Sequence, residues 1–175
     1  MVAQQIKSKL IGTIIFLSGS LGMAKDIPVD AEKPIAVKPK VHLIYMGGND
    51  CPPCVEWRQS ELPKLQKTAA FKEIEFDYVM KSIRSSIPLS LFLPKAVKPY
   101  KDLLDKASGG SGGSPQFALL VDGRIYDYFF GTRDADTMEL MLQAALTGSP
   151  YPLPLPQRCL QLASGKPRVC EIKAP

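Results

Sequence analysis

Apolar positions along the chain fall into short runs whose period changes from one segment to the next. Val41 to Met46 is a continuous apolar run followed by Gly47-Gly48, the pattern of a buried strand that ends in a turn. From Cys54 to Phe71 the residues Val55, Trp57, Leu62, Leu65, Ala69 and Ala70 fit a helix loosely, and Pro63 is expected to kink or restart it. Ile74 to Met80 alternates and predicts a second strand. Gln116 to Val121, the turn residues Asp122-Gly123 and the run Arg124 to Phe130 give a hairpin signal. A last helix carries Met138, Met141, Leu142 and Leu146, with Asp134 or Asp136 as its N-cap and Gly148 and Pro150 as its stop.

The segment 81–114 is less regular. Ile87 to Pro94 is apolar but broken by prolines, and Pro99 to Ala107 reads as a short amphipathic helix with Pro99 in its first turn and Gly109 at its end. This insert either overhangs a site or packs as an extra helix, and packing is the favoured reading. Residues 108–114 form a Gly/Ser loop. The order strand, helix, strand, insert, hairpin, helix fits an α/β fold, a mixed central sheet flanked by helices.

The ends of the chain have a different character. Lys7 and Lys9 precede the apolar stretch Leu10 to Leu17, and Gly22-Met23-Ala24 supplies small residues at the positions a signal peptidase accepts. Residues 1–24 are therefore expected to be a signal peptide cleaved near Ala24, with an uncleaved anchor as the alternative. The apolar core is short of the about 20 residues that a spanning helix needs. A periplasmic or secreted location follows as an expectation, in a compartment that permits disulfides. Residues 25–40 are an extended lead-in, 41–148 the folded domain, and 149–175 a Pro-rich tail.

Composition narrows the chemistry. A chain of 175 residues with 45% hydrophobic and 22% charged residues is ordinary for one globular domain and excludes a disordered one. The net charge of +5 includes Lys7 and Lys9 and has no polybasic block, which argues against a nucleic-acid partner. The chain has 1 histidine, which excludes most zinc and His-based catalytic schemes. His42 is expected to pack within its strand, Trp57 to be a core or rim aromatic, and Lys38 and Lys40 to be solvated charges.

The 4 cysteines remain. Cys51-Pro52-Pro53-Cys54 lies between a predicted strand and a predicted helix. A thiol at a helix N-terminus faces unpaired amides and the positive end of the dipole, and both favour the thiolate that attacks disulfides. Cys51, at the exposed edge of the turn, is expected to be the nucleophile, and Cys54, one turn inward, the resolving thiol. Neither proline has an amide hydrogen to donate to the Cys51 sulfur, and Asp50 opposes its ionisation. The Cys51 pKa is therefore expected to be lowered only moderately, so that the pair leans toward reductant. A structural disulfide, a metal site and a degenerate domain are the competing readings. Metal binding would need further ligands, and Cys159 and Cys170 are too widely separated to resemble a zinc knuckle. No metal and no cofactor is expected. Cys159 and Cys170 are expected to close a structural disulfide worth about 3 kcal/mol, with a relay to Cys51 and Cys54 as the alternative.

Residues 41–147 resemble the thioredoxin superfamily in its bacterial periplasmic branch. The resemblance rests on the strand Val41 to Met46, the motif Cys51 to Cys54, and the run Gly113-Ser114-Pro115-Gln116-Phe117-Ala118-Leu119-Leu120-Val121-Asp122-Gly123. It implies a thioredoxin-like fold with an insert before a cis-proline at Pro115 that faces the cysteines. It also implies that Ser114 offers its backbone to an extended substrate peptide. Two positions depart from the family pattern. Tyr45 stands where a buried acid often lies, six residues before the first cysteine, and Asp50 replaces the usual aromatic residue. The implied activity is thiol–disulfide exchange with protein thiols and disulfides, and the chain is expected to be a monomer. The motif leaves the direction open: a reductant role implies a membrane thiol reductase as electron donor, and an oxidant role would instead need a quinone-linked partner. Residues 25–40 are too few for the dimerisation domain of family isomerases. The competing function is a non-catalytic binding module, a chaperone or a copper metallochaperone, which the lack of a methionine or histidine cluster near the cysteines weakens.

Overall fold

The structure is a computed structural model, and it describes residues 38–153. The central strand β1 spans Val41–Gly47 and all seven of its residues are buried, as expected of a strand covered on both faces. It pairs in parallel with β2 (Glu75–Met80), which places Tyr45 opposite Tyr78. On its other side it pairs antiparallel with β3 (Gln116–Val121), which places Tyr45 opposite Phe117. The hairpin partner β4 (Arg124–Phe130) completes a four-stranded sheet of order β2-β1-β3-β4. Asp122 and Gly123 both have positive φ, 50° and 77°, the backbone that a two-residue hairpin turn requires. This is the thioredoxin-like arrangement expected from the sequence, a mixed sheet flanked by helices.

The parallel pairing of β1 and β2 needs a crossover, and two short helices supply it. Helix α1 covers Pro52–Ser60 and α2 covers Leu62–Leu65. Pro63 sits in the first turn of α2, so the proline restarts the helix, one of the two expected outcomes. Helix α3 (Lys101–Ser108) is shorter than the 99–107 stretch implied. A separate 3-10 turn over Lys98–Tyr100 takes Pro99, and Gly109 ends the helix in the left-handed conformation. Helix α4 (Ala135–Thr147) is capped by Asp134, whose side chain accepts from the Thr137 amide, and stops at Gly148.

Strand alternation sends side chains to two cores. Leu43, Tyr45, Phe117, Leu119 and Phe129 pack against Trp57, Leu65, Met138, Met141 and Leu142 from α1, α2 and α4. On the opposite face Ile44, Met46, Ala118, Leu120 and Tyr128 pack against Ile87, Leu93, Val97, Leu104 and Ala107. The insert is therefore the second helical layer, as the packed reading expected. Each large side chain so buried contributes about 1.5–3 kcal/mol. Leu89, Leu91 and Phe92 do not share in this and stay exposed on a 3-10 turn.

Among the described residues no helix is long and apolar enough to cross a membrane. The leader, the lead-in through residue 37, and Cys159 and Cys170 in the tail lie outside the described residues.

Candidate functional site

The site forms where β1 ends and α1 begins. Cys51 is the N-cap of α1, with extended backbone (φ −119°, ψ 99°), and Pro52 and Pro53 occupy the first helical positions. Those positions have no intrahelical acceptor for an N–H, so two prolines cost the helix nothing there. The Cys51 carbonyl takes the first helical bonds, from the Cys54 amide at 2.9 Å and the Val55 amide at 3.1 Å. The two cysteines are joined by a disulfide, with Cα atoms 5.2 Å apart. Both are fully buried and belong to the core under α1, which corrects the expectation that Cys51 lies at an exposed edge. The bond is the reason. It ties the Cys51 sulfur to Cys54, which the first helical turn faces inward.

The floor of the site is aromatic. Tyr45 stacks on Trp57 at 4.9 Å and on Tyr78 at 5.1 Å between ring centres, and its hydroxyl donates to the Cys54 carbonyl at 3.2 Å. Burial pushes the Tyr45 phenol up to about 12, against the pull of the nearby Arg58 guanidinium. It is a neutral hydrogen-bond donor at neutral pH, not the carboxylate base of the family pattern. Arg58, one turn beyond Cys54 on α1, donates to the Tyr78 hydroxyl and, at 2.6 Å, to the Asn49 side chain. The Tyr78 hydroxyl in turn donates to the Gly47 carbonyl at 3.0 Å. Gly47 is a glycine by necessity of space. A Cβ there would lie 2.5 Å from the Tyr45 hydroxyl and 2.9 Å from the Cys54 sulfur.

The loop before β3 carries the other two candidate residues, Ser114 and Pro115. The Ser114–Pro115 peptide is cis, as the resemblance implied. The antiparallel register pairs Met46 with Gln116, so Pro115 comes alongside the end of β1 that leads into the cysteine motif. The Pro115 carbonyl accepts from Gly131 at 3.0 Å, which ties the loop to the end of β4. The buried Lys81, just past β2, donates from Nζ to the Gly113 carbonyl at 2.5 Å and to the Ser114 hydroxyl at 3.0 Å. Burial pulls its pKa down to about 8, and the charge of Asp50 opposes that shift. The Asp50 carboxylate accepts from the Ile83 amide at 3.1 Å, so the acid beside Cys51 is engaged with the first residues of the insert.

A cleft of about 250 Å³ opens beside Pro53, lined by Glu56, Trp57, Glu61, Arg133 and Asp134. Its walls are held by the Trp57 indole, which donates to the Arg133 carbonyl at 2.8 Å, and by Glu61, which accepts from the Ala135 amide at 2.9 Å.

The structure joins Cys51 to Cys54 and, through the register of β1 and β3, sets the cis Ser114–Pro115 peptide at the end of β1 that precedes them. Sequence reasoning missed Lys81, Arg58 and Gly47. A glycine directly after a buried strand was the available signal for Gly47, whereas a lone lysine or arginine at an element end carries none. Of the residues given bland readings, His42 is buried and its Nε2 lies 2.9 Å from the Asp77 carboxylate, and Trp57 is a core aromatic. Lys38 and Lys40 are exposed but paired, with Glu73 and Glu75. No group of three or more metal-ligating side chains occurs among the described residues.

No family model matches the chain, and no curated protein matches it. Among solved structures, the chain is similar to a thiol:disulfide interchange protein, a thioredoxin family protein from Chlorobium tepidum TLS. The two are 21% identical, the match covers 61% of this chain and 80% of that one, and the TM-score is 0.38.

Proposed function

We propose that this chain is a thiol–disulfide oxidoreductase that exchanges disulfides with protein substrates through Cys51 and Cys54, and that it works as a reductant. The observation that carries the reading is a disulfide across the first turn of a helix beside a loop, Ser114–Pro115, that joins the site to the sheet. In the reduced protein the Cys51 thiolate, favoured by the amides and dipole at the start of α1, attacks one sulfur of a substrate disulfide. The other substrate sulfur leaves as a thiolate and takes a proton. Cys54 then loses its proton and attacks the mixed disulfide, which frees the second substrate thiol and leaves the Cys51–Cys54 bond. Two electrons pass to the substrate in each cycle. A membrane thiol reductase is the proposed donor that restores the dithiol, and a periplasmic or secreted location is the proposed setting.

With prolines at both central positions, no amide there donates to the Cys51 sulfur. This is the argument for a reductant rather than a strong oxidant, which stabilises its thiolate more fully. The burial of both sulfurs favours a second reading, a non-catalytic binding module. Replacing Cys54 by Ala separates the two. The oxidoreductase reading expects Cys51 to hold natural substrates as mixed disulfides that a reducing agent releases. The binding-module reading expects no covalent adduct, and binding that survives Cys51→Ser.

A further inference from the structure

Lys81 is the only lysine among the described buried side chains, with 4% of its surface exposed. A lysine at a strand end ordinarily reaches out to water, because taking its ammonium out of solvent is costly. Here the side chain runs inward and spends two of its three N–H donors on the Gly113 carbonyl and the Ser114 hydroxyl. Both partners are uncharged and both belong to the two residues that precede Pro115.

Other contacts hold the same loop. The Gln116 side chain donates to the Gly113 carbonyl at 2.7 Å, and the backbone of Arg84 crosses so close to Gly112 that a Cβ there would lie 2.5 Å from the Arg84 carbonyl oxygen. The N–H and C=O of Ser114 itself have no partner among the described residues. The loop is thus fixed through its hydroxyl, its neighbours and the Arg84 backbone that crosses it, while the backbone groups that an incoming strand would pair with are left open.

We propose that Lys81 is the positioning residue for the substrate strand, clamping Gly113 and the Ser114 hydroxyl so that the Ser114 backbone is held ready for an extended polypeptide that carries a disulfide. The inference rests on the oxidoreductase reading and deepens it by naming the residue that positions the substrate-facing loop. An ordered loop meets its entropic cost during folding rather than during binding, so the clamp acts on affinity. A polypeptide gains from it, because strand addition uses main-chain hydrogen bonds.

The test compares KM and kcat for reduction of oxidised insulin, at a fixed dithiol supply, by the wild-type protein, Lys81→Met, Ser114→Ala and the double variant. The clamp predicts that Lys81→Met raises KM about tenfold with kcat within about twofold of wild type, the signature of lost binding. Ser114→Ala keeps the backbone and removes one of the two bonds, so its KM rises about threefold, and the double variant adds little to Lys81→Met. An unchanged KM in Lys81→Met overturns the proposal. So does a joint fall of kcat and melting temperature without a KM effect, which is the mark of a merely structural lysine. If Lys81→Met does not fold, Ser114→Ala decides, and an unchanged KM there overturns the clamp. Absence of wild-type turnover overturns the functional reading together with the clamp, whereas wild-type turnover with unaltered KM values overturns the clamp alone.

Discussion

The hydroxyl of Tyr45 donates to the carbonyl of Cys54 at 3.2 Å, across the gap between the central strand and the first turn of the helix that carries the disulfide. The bond joins the sheet to the cysteine motif at a point where Gly47 admits no side chain. Replacing Tyr45 by Phe keeps the stacked ring and removes only this link. The buried Cys54 carbonyl still accepts from the helix, so the expected loss of stability is about 1 kcal/mol, measured by urea unfolding. An unchanged unfolding midpoint shows that the hydroxyl does not hold the motif to the strand.

Gly47→Ala tests the same gap from the other side. Its methyl group meets the Tyr45 hydroxyl at 2.5 Å and the Cys54 sulfur at 2.9 Å, and both neighbours are buried. Overpacking of this kind costs about 1–3 kcal/mol, and calorimetry of the oxidised protein reads it as a lower melting temperature. A variant as stable as wild type shows that the space between strand and helix adapts freely.

Lys81 makes stability depend on pH in a direction opposite to that of Tyr45. Its pKa is about 8 in the folded protein against 10.5 when unfolded, so between those values the unfolded chain binds the extra proton. Stability from this group therefore rises with pH from 8 to 10.5. The Tyr45 phenol, raised from 10.0 to about 12, keeps its proton when folded and loses it when unfolded. Its contribution falls as pH climbs from 10 toward 12. The difference in unfolding free energy between wild type and Lys81→Met, followed from pH 7 to 10.5, isolates the lysine. It should shift in favour of wild type above pH 8, and a difference that stays flat contradicts the burial argument.

The sequence discloses those parts of the fold that are set by local pattern. The hairpin at Asp122-Gly123 is specified by two residues that tolerate positive φ, and Asp134 caps α4 through a bond three residues away. The restart at Pro63 is equally local. The insert could be read only as a choice between overhang and packing. Ile87, Leu93, Val97, Leu104 and Ala107 are irregularly spaced, and their common face exists only once the sheet is there to receive them.

At the site, the Cys51–Cys54 pair was legible in its spacing, and the cis Ser114–Pro115 peptide through family resemblance alone. The burial of Cys51 was not, because a helix N-cap is normally a surface position and only the bond to Cys54 turns the side chain inward. Lys81 was equally hidden. Nothing in a lysine after a strand shows that its acceptors, Gly113 and Ser114, lie more than thirty residues further along the chain.

The central claim is that Cys51 and Cys54 turn over. Its most direct test is the rate at which catalytic amounts of the protein reduce oxidised insulin with excess dithiothreitol, beside Cys51→Ser at the same concentration. The account predicts a rate at least about tenfold above the uncatalysed reaction, abolished by the substitution. A wild-type rate no greater than that of dithiothreitol alone contradicts it.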